Sequence, residues 1–222
     1  MLLDCIEHET GPSPAWSVIW LHGLGADGND FAPIVPQLVR RDWPALRFVF
    51  PNAPVRKVTI NGRMAMRAWY DIVDADLDHR ADEAGVDESV AQVEALIARE
   101  ATRGVARGRV LLAGFSQGGA VTLAAGLRSA APLAGLVALS AYVPSAHKAR
   151  SVLAQAAVRA PVFFGHGSQD PVVPFQAGQR SAALLRELGF DVDWRAYPMP
   201  HSVCAEEIAD LGDWMSRRFT AG

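Results

Sequence analysis

The sequence predicts an α/β fold, one domain with a mainly parallel central sheet flanked by helices on both faces. Three observations carry that reading. Apolar runs of strand length recur at residues 16–21, 46–50, 110–113, 135–140 and 161–166, and unbroken apolarity of that length suits a strand buried on both faces of a parallel sheet. Helical patterns alternate with these runs, the arrangement that builds parallel sheets through crossover helices. No repeat or linker divides the chain, so residues 1–222 are expected to form a single domain.

Composition narrows the function classes. The chain has 222 residues, half of them hydrophobic and 20% charged, with a net charge of −3. That length supports a substantial core, and that charge gives no electrostatic reason to expect nucleic acid or an anionic membrane as partner. Cys5 and Cys204 form neither a ligand spacing nor a disulfide framework, which fits a reducing compartment. The first residues lack a basic stretch followed by a long apolar one, and no apolar run approaches a membrane span. A cytoplasmic protein without stable membrane insertion is the expectation.

The first strand candidate, residues 16–21, runs into His22-Gly23-Leu24-Gly25-Ala26-Asp27-Gly28. Gly23, Gly25 and Gly28 satisfy G-x-G-x-x-G after a strand, so a dinucleotide-binding oxidoreductase has to be weighed. Pro33 and Pro36 interrupt the segment where a phosphate-binding helix should run on. The next strand candidate, residues 46–50, ends in Pro51-Asn52-Ala53-Pro54, with no acidic residue to hold a ribose. After it, residues 67–71 read as a short strand or loop. Asp74, Asp76 and Asp78 have calcium-loop spacing, but His79 stands where the loop needs glycine and Gly85 where it needs glutamate, so a solvated acidic loop is expected. Residues 88–103 then show Val90, Val93, Leu96 and Ile97 as a helical stripe.

The stretch that follows is the most informative in the chain. The apolar run 110–113 enters Gly114-Phe115-Ser116-Gln117-Gly118, which fits G-x-S-x-G, and an Ala-rich helical segment, residues 120–127, comes next. Strand, sharp turn with serine at its apex, then helix is the context that gives this motif its chemistry. The glycines two positions either side of Ser116 are expected to press against neighbouring backbone, and the helix N-terminus favours negative charge developing on a substrate.

Downstream, residues 135–140 and 161–166 are further strands, and residues 175–188 form a helix with Gly189 as its stop. Residues 191–197 alternate as a strand, and residues 204–219 form the last helix. His22, Ser116, Asp170 and His201 each fall just after an expected strand, the rim of a parallel sheet where ligands sit.

A serine hydroxyl needs a base to take its proton and a third group to orient that base. With this elbow the partners follow in the order serine, acid, histidine. Beyond Ser116 the histidines are His147, His166 and His201, and both His147 and His166 precede every downstream aspartate. His201 alone satisfies the order. Of the acids between, Asp191 and Asp193 lie in a strand whereas Asp170 lies in a rim loop, so the expected catalytic set is Ser116, Asp170 and His201. A turn-capping Asp170 and a surface His201 are the structural alternatives. The backbone N–H of Gln117 is the expected first oxyanion donor, and the N–H of Leu24 the second. His22 is expected to prop the Leu24 loop.

Six stretches in order now carry a resemblance: His22-Gly-Leu-Gly-Ala-Asp-Gly28, Pro54 through Thr59-Ile-Asn-Gly62, Met66-Arg-Ala-Trp-Tyr-Asp-Ile72, Gly114-Phe-Ser-Gln-Gly-Gly119, His166-Gly-Ser-Gln-Asp-Pro-Val-Val-Pro174 and Tyr197-Pro-Met-Pro-His-Ser-Val203. Together, over nearly the whole chain, they resemble the carboxylesterase/acyl-protein thioesterase (phospholipase/carboxylesterase) family of α/β-hydrolases. The resemblance implies an α/β-hydrolase fold without a cap domain and a serine esterase without cofactor or metal. It implies small-molecule substrates, carboxylic esters of short to medium acyl chains, extending to acyl thioesters and lysophospholipids. The family's nucleophile, acid and base fall on Ser116, Asp170 and His201, and its oxyanion donors on Leu24 and Gln117. The loops carrying Trp69 and Val143 are expected to shape the acyl pocket, which makes these two the candidate substrate-binding residues. A homodimer is compatible with the resemblance, and the sequence neither supports nor excludes it. A scaffold protein without turnover is the reading from another class, and three intact catalytic groups argue against it. One departure stands out: Pro200 precedes His201 where the family has a small residue, which predicts a stiffer loop or a differently aimed imidazole.

Overall fold

A computed structural model describes residues 2–74, 82–155 and 159–219. Its strands are β1 (Cys5–Glu9), β2 (Trp16–Leu21), β3 (Leu46–Pro51), β4 (Val55–Val58), β5 (Met64–Arg67), β6 (Val110–Phe115), β7 (Gly135–Leu139), β8 (Val162–Gly167) and β9 (Val192–Tyr197). The helices are α1 (Val35–Leu38), α2 (Glu83–Thr102), α3 (Gln117–Arg128), α4 (Ala149–Val152), α5 (Phe175–Glu187) and α6 (Ala205–Phe219). Seven strands form one sheet in the order β1-β3-β2-β6-β7-β8-β9. Every pairing in it is parallel except that of β1 with β3.

The unbroken apolar runs are explained by burial on both faces. Ile19 and Leu21 of β2, Val110 and Leu112 of β6, and Leu136 and Ala138 of β7 enter one core, shared with α2, α3 and α5. Their alternates Val18, Trp20, Leu111, Ala113, Val137 and Leu139 enter a second core, closed by Leu38 of α1 and Leu211, Trp214 and Met215 of α6. A strand side chain alternates faces, so a sheet covered on both sides leaves no position for a polar residue. Ser17 is the instructive exception: its hydroxyl donates to Glu100, and Arg47 pairs with the same carboxylate at 2.9 Å.

Two features were not expected from the sequence. β1 adds an antiparallel edge, and its polar composition fits residues that are half-buried at Cys5 and Ile6 and exposed from Glu7 to Glu9. β4 and β5 form a separate antiparallel hairpin, with Val55 paired to Arg67 and Val58 to Met64. Residues 68–70 beyond it are buried but irregular. Most of the acidic Asp74–Glu83 segment, residues 75–81, lies outside the described residues. No helix among the described residues is long and apolar enough to cross a membrane.

Candidate active site

The Ser116 turn is built by two close approaches. A Cβ on Gly114 would lie 2.3 Å from the carbonyl carbon of Gly118, and one on Gly118 would lie 2.3 Å from the carbonyl oxygen of Leu21. β6 and α3 can therefore fold back on each other, and onto the end of β2, only with glycine at both positions. Ser116 itself takes φ 55° and ψ −118°, a strained conformation for a residue with a Cβ. Its amide is held by the Leu139 carbonyl at 2.9 Å, and its own carbonyl accepts the Ala120 amide at 3.0 Å.

Three elements bring their C-terminal ends to this point. The Ser116 hydroxyl lies 2.9 Å from His201 Nε2, and His201 Nδ1 lies 2.7 Å from Asp170 Oδ2. With Nδ1–H donating to the carboxylate, Nε2 is the nitrogen free to accept the serine proton. Asp170 Oδ1 accepts the amides of Val172 and Val173 at 2.8 and 2.9 Å. Burial works to raise the Asp170 pKa, but the bonds from His201 and these two amides outweigh it and hold the carboxyl below its usual range. The His201 loop is laced to the Asp170 loop: Ser168 and Gln169 donate their amides to the carbonyls of Tyr197 and Met199. A Cβ on Gly167 would lie 2.4 Å from the carbonyl oxygens of Met199 and Pro200. Pro200 thus occupies a tightly packed turn, and the imidazole that follows it is aimed at both Ser116 and Asp170. Of the two outcomes expected of Pro200, a stiffer loop or a differently aimed imidazole, the second is not seen.

Comparison with known proteins decides the family, since residues 6–218 match the phospholipase/carboxylesterase family. The chain belongs to that family. Acyl-protein thioesterase 1 of Cryptococcus neoformans is 38% identical over 216 residues, covering 90% of each chain. Carboxylesterase SOBER1 of Arabidopsis thaliana is 35% identical over 204 residues, again 90% of each. The SOBER1 crystal structure superposes with a TM-score of 0.85 at 34% identity, covering 91% of this chain and 98% of that one. Zea mays acyl-protein thioesterase 2 gives 0.85 at 26% identity, covering 96% and 99%. The fold is accordingly the α/β-hydrolase fold, and the protein is a hydrolase acting on ester bonds.

In this family member, Gln117 is the first residue of α3, where helix amides have no partner within the helix. The Leu24 amide is taken by no acceptor among the described residues. The loop carrying it is fixed on several sides. His22 is buried; its Nδ1 donates to the Gly23 carbonyl at 2.7 Å and its Nε2 accepts the Ala53 amide at 3.1 Å. Burial lowers the His22 pKa, which keeps the ring neutral and consistent with a propping role. Gly25, at φ +78°, donates to the Arg67 carbonyl and so ties this loop to the hairpin.

Trp69 is placed differently from expectation. It has no exposed surface, and its indole N–H donates to the His22 carbonyl at 2.9 Å. It therefore braces the loop that carries Leu24. Val143 is also buried, with its amide donated to Ser181. It lines a cavity of about 220 Å³ beside α5, away from the groove at His201. Both were expected to bind substrate; the structure places Trp69 against the Leu24 loop and Val143 beside α5, because spacing locates a loop near the rim but not which side of it turns inward.

The sequence reading missed the Gln117 side chain. Its Oε1 accepts the Trp69 amide at 2.9 Å and its Nε2 donates to the Tyr70 carbonyl at 2.8 Å. A primary amide inside an otherwise apolar helix was the available signal, because a buried amide has to find partners. His166 was set aside by chain order and is buried beneath Asp170, its Nε2 donating to the Val173 carbonyl at 2.9 Å. Burial lowers its pKa, so it supports the acid loop as a neutral ring.

Proposed function

We propose that this protein is a serine carboxylesterase that cleaves short- to medium-chain carboxylic esters, and acyl thioesters of the same size, through an acyl-enzyme. The observation that carries the reading is His201 bridging Ser116 at 2.9 Å and Asp170 at 2.7 Å. Ser116 Oγ attacks the substrate carbonyl while its proton passes to His201 Nε2, and Asp170 stabilises the imidazolium. The negative charge on the former carbonyl oxygen is met by the amides of Leu24 and Gln117, each donor contributing roughly 10² to 10³ in rate. The intermediate collapses as Nε2 returns the proton to the departing alcohol or thiol. Water then repeats the sequence against the acyl-serine, releasing the carboxylic acid and restoring the hydroxyl.

The names of the relatives, acyl-protein thioesterase 1 and carboxylesterase SOBER1, support both oxyester and thioester chemistry. The family description, phospholipase/carboxylesterase, extends the reading to lysophospholipids, whose phosphate-bearing leaving alcohol is expected to make them poorer substrates than esters of uncharged alcohols. Two free cysteines fit work in a reducing, cytoplasmic compartment. The test is labelling with a fluorophosphonate probe combined with a p-nitrophenyl ester series. Label on Ser116, lost in Ser116→Ala, with a rate optimum at some acyl length, supports the proposal. Absence of label on the folded enzyme overturns it.

A further inference from the structure

A groove of about 510 Å³ opens beside His201. Phe31, Ile34, Phe115, Val203, Cys204 and Ile208 are among the residues that line it. The Phe115 ring lies 4.7 Å from the imidazole and 5.5 Å from the Phe31 ring, so an aromatic ledge runs outward from the base.

The chemistry of the proposed reaction says which half of the substrate lies here. The tetrahedral carbon on Ser116 carries three other substituents. The oxyanion goes to the amides of Leu24 and Gln117, and the leaving atom has to face Nε2 within about 3 Å to receive its proton. A groove that begins at the imidazole is therefore continuous with the leaving group, not with the acyl chain. Among the described residues its lining holds no lysine or arginine, and Asp30 is part of it. A leaving group bearing a phosphate or carboxylate would lose hydration there without gaining a cation, whereas an aryl group gains apolar burial and ring contacts.

We propose that this groove is the leaving-group subsite and that it selects esters of uncharged, apolar alcohols, aryl ones above all. The assignment rests on the esterase reading. Its test holds the acyl group constant as acetate and compares methyl, benzyl and 2-naphthyl esters, with 6-acetoxy-2-naphthoate as the anionic counterpart. The groove is narrowed in two ways: by Ile208→Trp, and by alkylating Cys204 of the native enzyme with N-phenylmaleimide. Burial pushes the Cys5 thiol up to about 11, which disfavours its thiolate at neutral pH.

The readout is the ratio of kcat/KM for the naphthyl and methyl esters, each compared with the unaltered enzyme so that intrinsic reactivity cancels. A fall of tenfold or more in that ratio on narrowing, together with at least tenfold discrimination against the anionic ester, supports the proposal. An unchanged ratio overturns it, as does a shift of the acyl-length optimum at fixed alcohol, which would give the groove to the acyl half. Failure of the esterase reading is distinguishable, because Ser116 would then take no fluorophosphonate label in the unaltered enzyme.

Discussion

Gly118 of α3 packs against the carbonyl of Leu21 so closely that a Cβ would lie 2.3 Å from its oxygen. The contact joins the nucleophile turn to the strand whose following loop carries Leu24. Gly118→Ala therefore has to move backbone, not a flexible side chain. The expected outcome is destabilisation of about 3 kcal/mol or more, measured by urea unfolding, with esterase activity lost in whatever protein folds.

Ser116 separates strain from catalysis. Ser116→Ala and Ser116→Gly both remove the proposed nucleophile, and each should lower kcat by roughly 10⁶. Only the glycine relieves a positive φ of 55°. Ser116→Gly should unfold at higher denaturant than Ser116→Ala, by about 1–2 kcal/mol, and equal midpoints would show that the turn is not strained.

Gln117 links the elbow to the Trp69 brace through its side chain. Gln117→Ala takes from the buried Trp69 amide its acceptor and from the Tyr70 carbonyl the Gln117 donor. A cost of about 2–4 kcal/mol is expected. The freed brace should also lower kcat more than it raises KM, which steady-state kinetics on one p-nitrophenyl ester will resolve.

Asp170→Asn keeps the size of the side chain and removes the charge that sets the His201 tautomer. A fall in kcat of roughly 10³ to 10⁴ is expected. The Asp170 carboxyl is held below its usual range in the fold. It therefore contributes stability above the unfolded pKa that is lost as pH falls through the lower folded value. Acid unfolding curves of the Asn variant should be flatter across that window than those of the wild type.

Glu207 offers the opposite pH dependence. It is buried at the start of α6, neither carboxyl oxygen has a hydrogen-bond partner among the described residues, and burial, reinforced by Asp210, pushes its pKa up to about 8. The folded protein keeps this proton while the unfolded chain releases it in the ordinary carboxylate range. Stability should therefore fall as pH rises from that range through about 8. Glu207→Gln should remove most of that slope, and parallel slopes for the two proteins would refute the assignment.

Much of this was legible in the residues alone. A parallel sheet buried on both faces writes itself as apolar runs, so β2, β3, β6, β7 and β8 were found close to their observed limits. β1 and the β4–β5 hairpin were not, because edge and surface strands bury one face or neither and carry no such run. Chain order sufficed to single out His201 and Asp170, since the fold threads its rim loops in a fixed sequence. Trp69 and Val143 show where that reasoning stops: being near the rim in sequence does not fix which way a side chain turns.

Fold class and elbow were readable from local pattern, and order along the chain was enough to propose Ser116, Asp170 and His201 as a triad. Contacts across the fold were needed to see that the imidazole after Pro200 reaches Ser116, that Gln117 and Trp69 brace the loop carrying Leu24, and that a largely apolar groove lies beside His201. Those depend on contacts between segments remote along the chain, whose distances are set by packing and leave no periodic trace in the order of residues.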